Sequence, residues 1–309
     1  MQQLARLLAL SACLITALPH VVRAQSLDAR PEQPVFRSSV DLVSLAAVVR
    51  DSRGRVISTL RPDDFELFDA GQRQPILDVR TEAAAPASVA LLVDGSGSMK
   101  VGASLDASRH ISHAILSTLN PSRDDAALFS FDTRLVAVQD FTRDLDAVRA
   151  GLQQVDAWGS TSLYDAIAGA AGVVAKRTTN RRAIVVLTDG TDTTSRYSPS
   201  EVSAIASAID VPIYVFALSA PASGDDEAPF GSGLPLADLA RLTGGDYLDA
   251  STPLTMTKAI ARLVEDLRHQ YLIAFEASTD HGWRAVQLKT RKKGLVVRSR
   301  NWYLSGARE

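Results

Sequence analysis

Three short runs of uninterrupted apolar residues constrain this fold most: "SVALLV" (88–93), "RAIVVLT" (182–188) and "VPIYVFAL" (211–218). A strand with one wet face alternates polar and apolar residues. A strand that is apolar at every position needs cover on both faces, which is the condition inside a parallel sheet. The stretches between these runs supply the cover. Val101, Leu105, Ser108, Ile111, Ile115 and Leu119 recur at helical spacing, and further helices are predicted over 143–154, 163–176 and 254–268. "SPSE" (198–201) opens another with a capping residue, a first-turn proline and an acidic third position, and "LADLARLTGG" (236–245) closes one on glycine. "DAALFSF" (125–131) reads as a fourth strand with "RLVAVQDF" (134–141) as its hairpin partner. The expectation is an α/β domain over 88–268, a doubly wound and mainly parallel sheet.

The flanks read differently. Over 39–82, Val40, Leu42, Ala46 and Val48 alternate, and "DFELFDAGQRQPILDV" suggests two strands about a turn at Asp69-Ala70-Gly71. "EAAAPA" (82–87) reads as a linker, and 219–233, rich in Gly, Pro, Ala and Asp, as a loop. Beyond His269 come "QYLIAFEA", "WRAVQLKT" and "GLVVRSRNWYL", a second β segment over 269–304 in which Trp283, Trp302 and Tyr303 are expected to pack. The simplest arrangement pairs 269–304 with 39–82 in one small β domain, with the α/β domain inserted.

Residues 1–24 have the order of a secretory signal: Arg6, an apolar run from Leu7 to Leu18, then Val22-Arg23-Ala24. Cleavage after Ala24 predicts a secreted or periplasmic protein; lipid anchoring through Cys13, the only cysteine, is the alternative. No run is long enough for a transmembrane helix. The formal net charge of −2 gives no basis for nucleic acid as the main partner.

The first apolar run ends in "DGSGS" (94–98), and this is where the chemistry lies. A dinucleotide fingerprint would need a glycine where Lys100 stands, and the phosphate-loop pattern is missing. A nucleophile elbow at Ser96 would need glycine in place of Asp94. The candidate histidines for a triad are His110 and His113 inside the first helix, and His269 and His281 in the closing segment. An aspartyl-phosphate phosphatase would want a second Asp at Ser96. Metal binding fits better. Asp94, Ser96 and Ser98 offer three oxygens on alternate residues, and a hard cation wants about six, so two more loops should contribute.

D-x-S-x-S at the end of a first strand resembles the metal-ion-dependent adhesion site of the von Willebrand factor A family. That pattern continues with a threonine before a helix and an aspartate after a later strand; "GSTSLYDAI" offers Thr161 and "VVLTDGTDTTS" offers Asp189. The flanks resemble a secreted bacterial branch of the family. The resemblance implies a Rossmann-like fold and metal ligation by Asp94, Ser96, Ser98, Thr161 and Asp189. It further implies Mg²⁺ (or Mn²⁺ or Ca²⁺) presented to a Glu or Asp of a partner protein, as in cell adhesion, with no catalysis. Two other readings stand beside it. One is a metal-dependent hydrolase with Asp132 as base, and the other a structural envelope protein with a vestigial site. Asp192 is expected to cap its own loop, and Lys289, Arg291, Lys292 and Lys293 to form a solvated turn.

Overall fold

The computed structural model describes residues 42–306, apart from 82–84, 102, 191, 209 and 220–235. The expected leader with Cys13, residues 39–41, half of the 82–87 linker and nearly all of the 219–233 loop lie outside the described residues. In chain order the elements are β1 (Leu42–Asp51), β2 (Phe65–Asp69), β3 (Gln72–Gln74), β4 (Ile76–Thr81), β5 (Ala87–Asp94), α1 (Ser104–Thr118) and β6 (Asp125–Phe131). Then follow β7 (Leu135–Thr142), α2 (Leu145–Leu152), α3 (Leu163–Val174), β8 (Arg181–Thr188), α4 (Pro199–Ala208), β9 (Ile213–Ala217), α5 (Leu236–Leu242) and β10 (Asp246–Asp249). The chain closes with α6 (Pro253–Arg268), β11 (Tyr271–Glu276), β12 (Gly282–Thr290), β13 (Leu295–Ser299) and β14 (Trp302–Ser305).

The central sheet has the order β10-β9-β8-β5-β6-β7, parallel throughout except for β7, which pairs antiparallel with β6 as the hairpin reading expects. Its strands feed two cores. Val89, Leu91 and Val93 of β5 pack with residues of α1, α2 and α6, whereas Ala90 and Leu92 pack with α3, α4 and α5. The same split divides Val185 from Ile184 and Val186 in β8. Two-sided cover is therefore the reason the runs are apolar at every position, and the fold is the mixed α/β, Rossmann-like one that they predict. β10, "DYLD", has no counterpart in the sequence reading; it is an edge strand, and its polar residues carry no alternation.

The remaining strands form two four-stranded antiparallel sheets, β13-β1-β11-β4 and β14-β12-β2-β3, around one shared core. Each sheet takes strands from both sides of the α/β region, through β1 with β11 and β2 with β12. Phe65 meets Tyr271 edge-on at 5.2 Å, and Phe275 meets Tyr303 at 5.4 Å, joining the two layers.

Four expectations are corrected. The face of β1 that enters this core is Leu45, Ala47 and Val49, not the set with Leu42, Ala46 and Val48; Leu42 is 62% exposed. The second half of β1 is buried on both sides, so alternation misleads there. "DFELFDAGQRQPILDV" forms three strands, because Pro75, without an N–H, breaks the ladder between β3 and β4, which enter different sheets. The last run likewise splits at Arg300 and Asn301, sending β13 and β14 into different sheets; Arg300 turns inward to Asp210 and to the carbonyls of Ser207 and Ser44. Trp283 and Trp302 do not pack inside but stay 45% and 43% exposed, while Tyr303 is buried.

Candidate metal centre

Parallel strands bring their carboxyl ends to one edge, and the loops leaving that edge build the site. β5 lies between β6 and β8, with Asp94 level with Phe131, and Val93 level with Leu187. Asp94, Asp132 and Asp189 thus leave three adjacent strands. A fourth loop, 156–162, is stitched onto them through the main chain. Gly95 N–H donates to Phe131 O (2.7 Å), Trp158 N–H to Gly95 O (2.5 Å), Gly97 N–H to Gly159 O (3.0 Å) and Ser162 N–H to Asp132 O (2.7 Å). Two glycines are required here. A Cβ at Gly95 would lie 2.9 Å from Asp156 O, and Gly159 has φ +83°.

The side chains form one chain of oxygens. Asp94, fully buried, accepts from Ser96 N–H at 2.8 Å through one oxygen and from the Thr188 hydroxyl through the other. The Ser96 and Ser98 hydroxyls are 3.0 Å apart, and Ser98 donates to Asp189 at 2.8 Å. The structure therefore brings Asp94, Ser96, Ser98 and Asp189 together. Thr161, 5% exposed, stands on the neighbouring loop, where its carbonyl accepts from Thr193 N–H (2.9 Å) and Thr194 N–H (3.1 Å). Ser98 is exposed on the outer side, so the cluster opens to solvent.

Burial pushes the Asp94 carboxyl above its ordinary value; the Thr188 and Ser96 donors take part of that back, and the Asp189 charge adds to it. Asp94 forms no ion pair among the described residues, and no group of three or more His, Cys, Asp or Glu there is placed to hold a metal. A site on this edge would instead consist of two carboxylates and three hydroxyls. Such an all-oxygen set suits a hard cation that keeps several waters.

Sequence reasoning missed Thr188, although a hydroxyl closing the apolar run "RAIVVLT" was its signal. Asp192 caps α3 from another loop, accepting from Leu163 N–H (2.8 Å) and Ser195 Oγ (2.5 Å). Asp132 accepts from Arg134 N–H at 2.9 Å in a local turn. The basic turn near residue 291 is paired as well as solvated: Lys292 meets Asp64 at 2.9 Å and Arg291 meets Glu66 at 3.4 Å.

Residues 89–191 match the family model described as von Willebrand factor type A domain. No curated protein matches the chain significantly. Among solved structures, a point variant of the PilB minor pilin from Streptococcus sanguinis is 15% identical, with 64% of this chain and 64% of that chain covered and a TM-score of 0.48. Proximal thread matrix protein 1 from the mussel byssus is 14% identical over 72% of this chain and 50% of that chain, at a TM-score of 0.49. BatB from Bacteroides thetaiotaomicron is 15% identical over 58% of this chain and 98% of that chain, at a TM-score of 0.45. The chain spans less than two thirds of the length of the first two.

Proposed function

We propose, from the premise that residues 89–191 are a von Willebrand factor type A domain, that the chain is a metal-dependent protein-binding module of the adhesion type. Domains of this family typically mediate protein–protein adhesion and often bind a divalent metal. In this reading Asp94, Ser96, Ser98, Thr161 and Asp189 hold Mg²⁺, with Mn²⁺ or Ca²⁺ as substitutes. The observation that carries it is the Asp94 carboxylate: fully buried, and given hydroxyl and amide donors but, among the described residues, no cation of the protein's own. A buried charge of that kind is costly unless a cation joins it. Two carboxylates balance the charge of the ion, and neutral hydroxyls leave it electrophilic. A Glu or Asp of a partner protein then completes the coordination sphere. The reaction is binding without catalysis, and the module is exported through the leader at 1–24. The flanks 39–82 and 269–304 act together as the β domain that carries it.

Titration calorimetry with Mg²⁺ tests the metal, and capture of envelope proteins in Mg²⁺ against chelator tests the partner. Thr161→Ala is expected to cut capture strongly with the fold intact. Equal capture in chelator would sink the adhesion reading.

A further inference from the structure

We infer that Lys100 and Trp158 form a second contact point beside the metal, selecting a partner segment that carries a second acidic side chain near the one given to the ion. The inference rests on the metal-and-carboxylate reading above and names its specificity. Lys100 ends the tight helical turn Gly97–Lys100, two residues beyond Ser98. Trp158 precedes Gly159 on the loop that carries Thr161, and the two loops are joined by the main-chain bonds Trp158 N–H to Gly95 O and Gly97 N–H to Gly159 O. The Lys100 ammonium sits 3.6 Å from the centre of the Trp158 ring.

Both groups are left open in a way that packing does not explain. Trp158 is 70% exposed, and Val101, next along the chain, is 72% exposed. Among the described residues Lys100 forms no ion pair, whereas the exposed Arg196 on the neighbouring loop is held by Asp165. Tryptophan is the side chain most enriched at the energetic centre of interfaces, and here a rigid loop presents it. A cation resting on an aromatic face keeps its charge available and has little side-chain freedom left to lose on binding. The occupant is argued from charge. Two carboxylates match the charge of a divalent ion, and the Lys100 ammonium, resting on the Trp158 ring with no ion pair among the described residues, is complemented by an acidic segment of a second protein.

The test uses the full chain with Trp283→Phe and Trp302→Phe, both outside the site, so that Trp158 is the sole tryptophan reporter. Probes are blocked peptides of alanine and glycine carrying one glutamate, or two glutamates one, two or three residues apart. Fluorescence titrations are run in Mg²⁺ and in chelator. In Mg²⁺, the best two-acid peptide is expected to bind about fivefold tighter than the one-acid peptide, the upper range for an exposed ion pair. Lys100→Gln should bring that ratio to about one. Melting in Mg²⁺ on the same variant reads metal loading separately. Equal affinities in the parent chain, or a ratio unchanged in Lys100→Gln, overturns the inference and leaves the adhesion reading standing. Absence of Mg²⁺-dependent binding by every peptide overturns both.

Discussion

Among the described residues two strands end in a fully buried aspartate, and the two carboxylates are treated in opposite ways. Asp69, closing β2 in the antiparallel sheets, receives Arg284 Nε on both oxygens at 2.8 and 3.0 Å and the Tyr303 hydroxyl at 3.0 Å. Asp94, closing β5 in the parallel sheet, receives a hydroxyl and an amide. Asp266 in α6 follows the first pattern, held by Arg50 and Arg298. A buried charge neutralised by the protein's own cation belongs to the structure. In the proposed reading, one left with neutral donors beside a second carboxylate takes its cation from outside the chain. That difference, more than the motif, argues for a cation at Asp94.

The largest effect should come from removing each charge at constant shape. Asp69→Asn is expected to destabilise by about 3 kcal/mol in urea melts, at the lower end for breaking a buried pair because Arg284 keeps Asp280. Asp94→Asn, in chelator, should show no loss or a gain. A plain helix-capping role predicts almost no change for Asp94→Asn, because asparagine caps as well, but a loss of roughly 0.5–2 kcal/mol for Asp94→Ala with or without metal. Equal losses at both positions would erase the contrast.

The same contrast explains what could be read from the sequence. The parallel core was legible because two-sided burial writes itself into every residue of β5, β8 and β9. Asp94 and Asp189 were legible because strand ends at one sheet edge meet wherever the order places the strands side by side. The antiparallel partners were not: Asp69 and Arg284 are 215 positions apart, and no local pattern links them. Thr188 was overlooked because a threonine at a strand end is ordinary there, and Trp158 because exposure is not a sequence property.

Next in size is the response to metal. Binding stabilises the folded state by about 2.7 kcal/mol when the ion is at 100 times Kd. Mg²⁺ should then raise the melting temperature by roughly 4–5 °C in a chain of this size. Asp94→Asn should abolish the rise and Asp69→Asn should keep it, since its carboxylate is already matched. A rise that survives Asp94→Asn would place the ion elsewhere.

Smaller again is the cap. Asp192 satisfies the first amides of α3 from a different loop, so Asp192→Ala should cost about 1 kcal/mol. The loss should be the same in Mg²⁺ and in chelator, with the metal increment retained. A loss seen only in Mg²⁺ would make Asp192 part of the centre and blur the line between a structural and a binding carboxylate.

The smallest expected effect is the dependence on pH, because donors from Thr188 and Ser96 offset part of the burial that raises the Asp94 pKa. The sign follows from linkage. At pH values below the ordinary carboxylate range, Asp94 is protonated in both states and contributes nothing. As pH rises through that range the unfolded chain ionises first, so the fold holds the extra proton and loses stability until the raised folded value is passed. In chelator, wild type should therefore match Asp94→Asn at low pH and fall below it toward neutrality. In Mg²⁺ the trend reverses, since ion and proton compete for the same oxygens and the metal-induced rise should grow with pH. Melting curves of both proteins at about pH 4 to pH 7 decide it. Parallel curves in chelator would mean that Asp94 is as well satisfied as Asp69, and the case for an external cation would lose its physical ground.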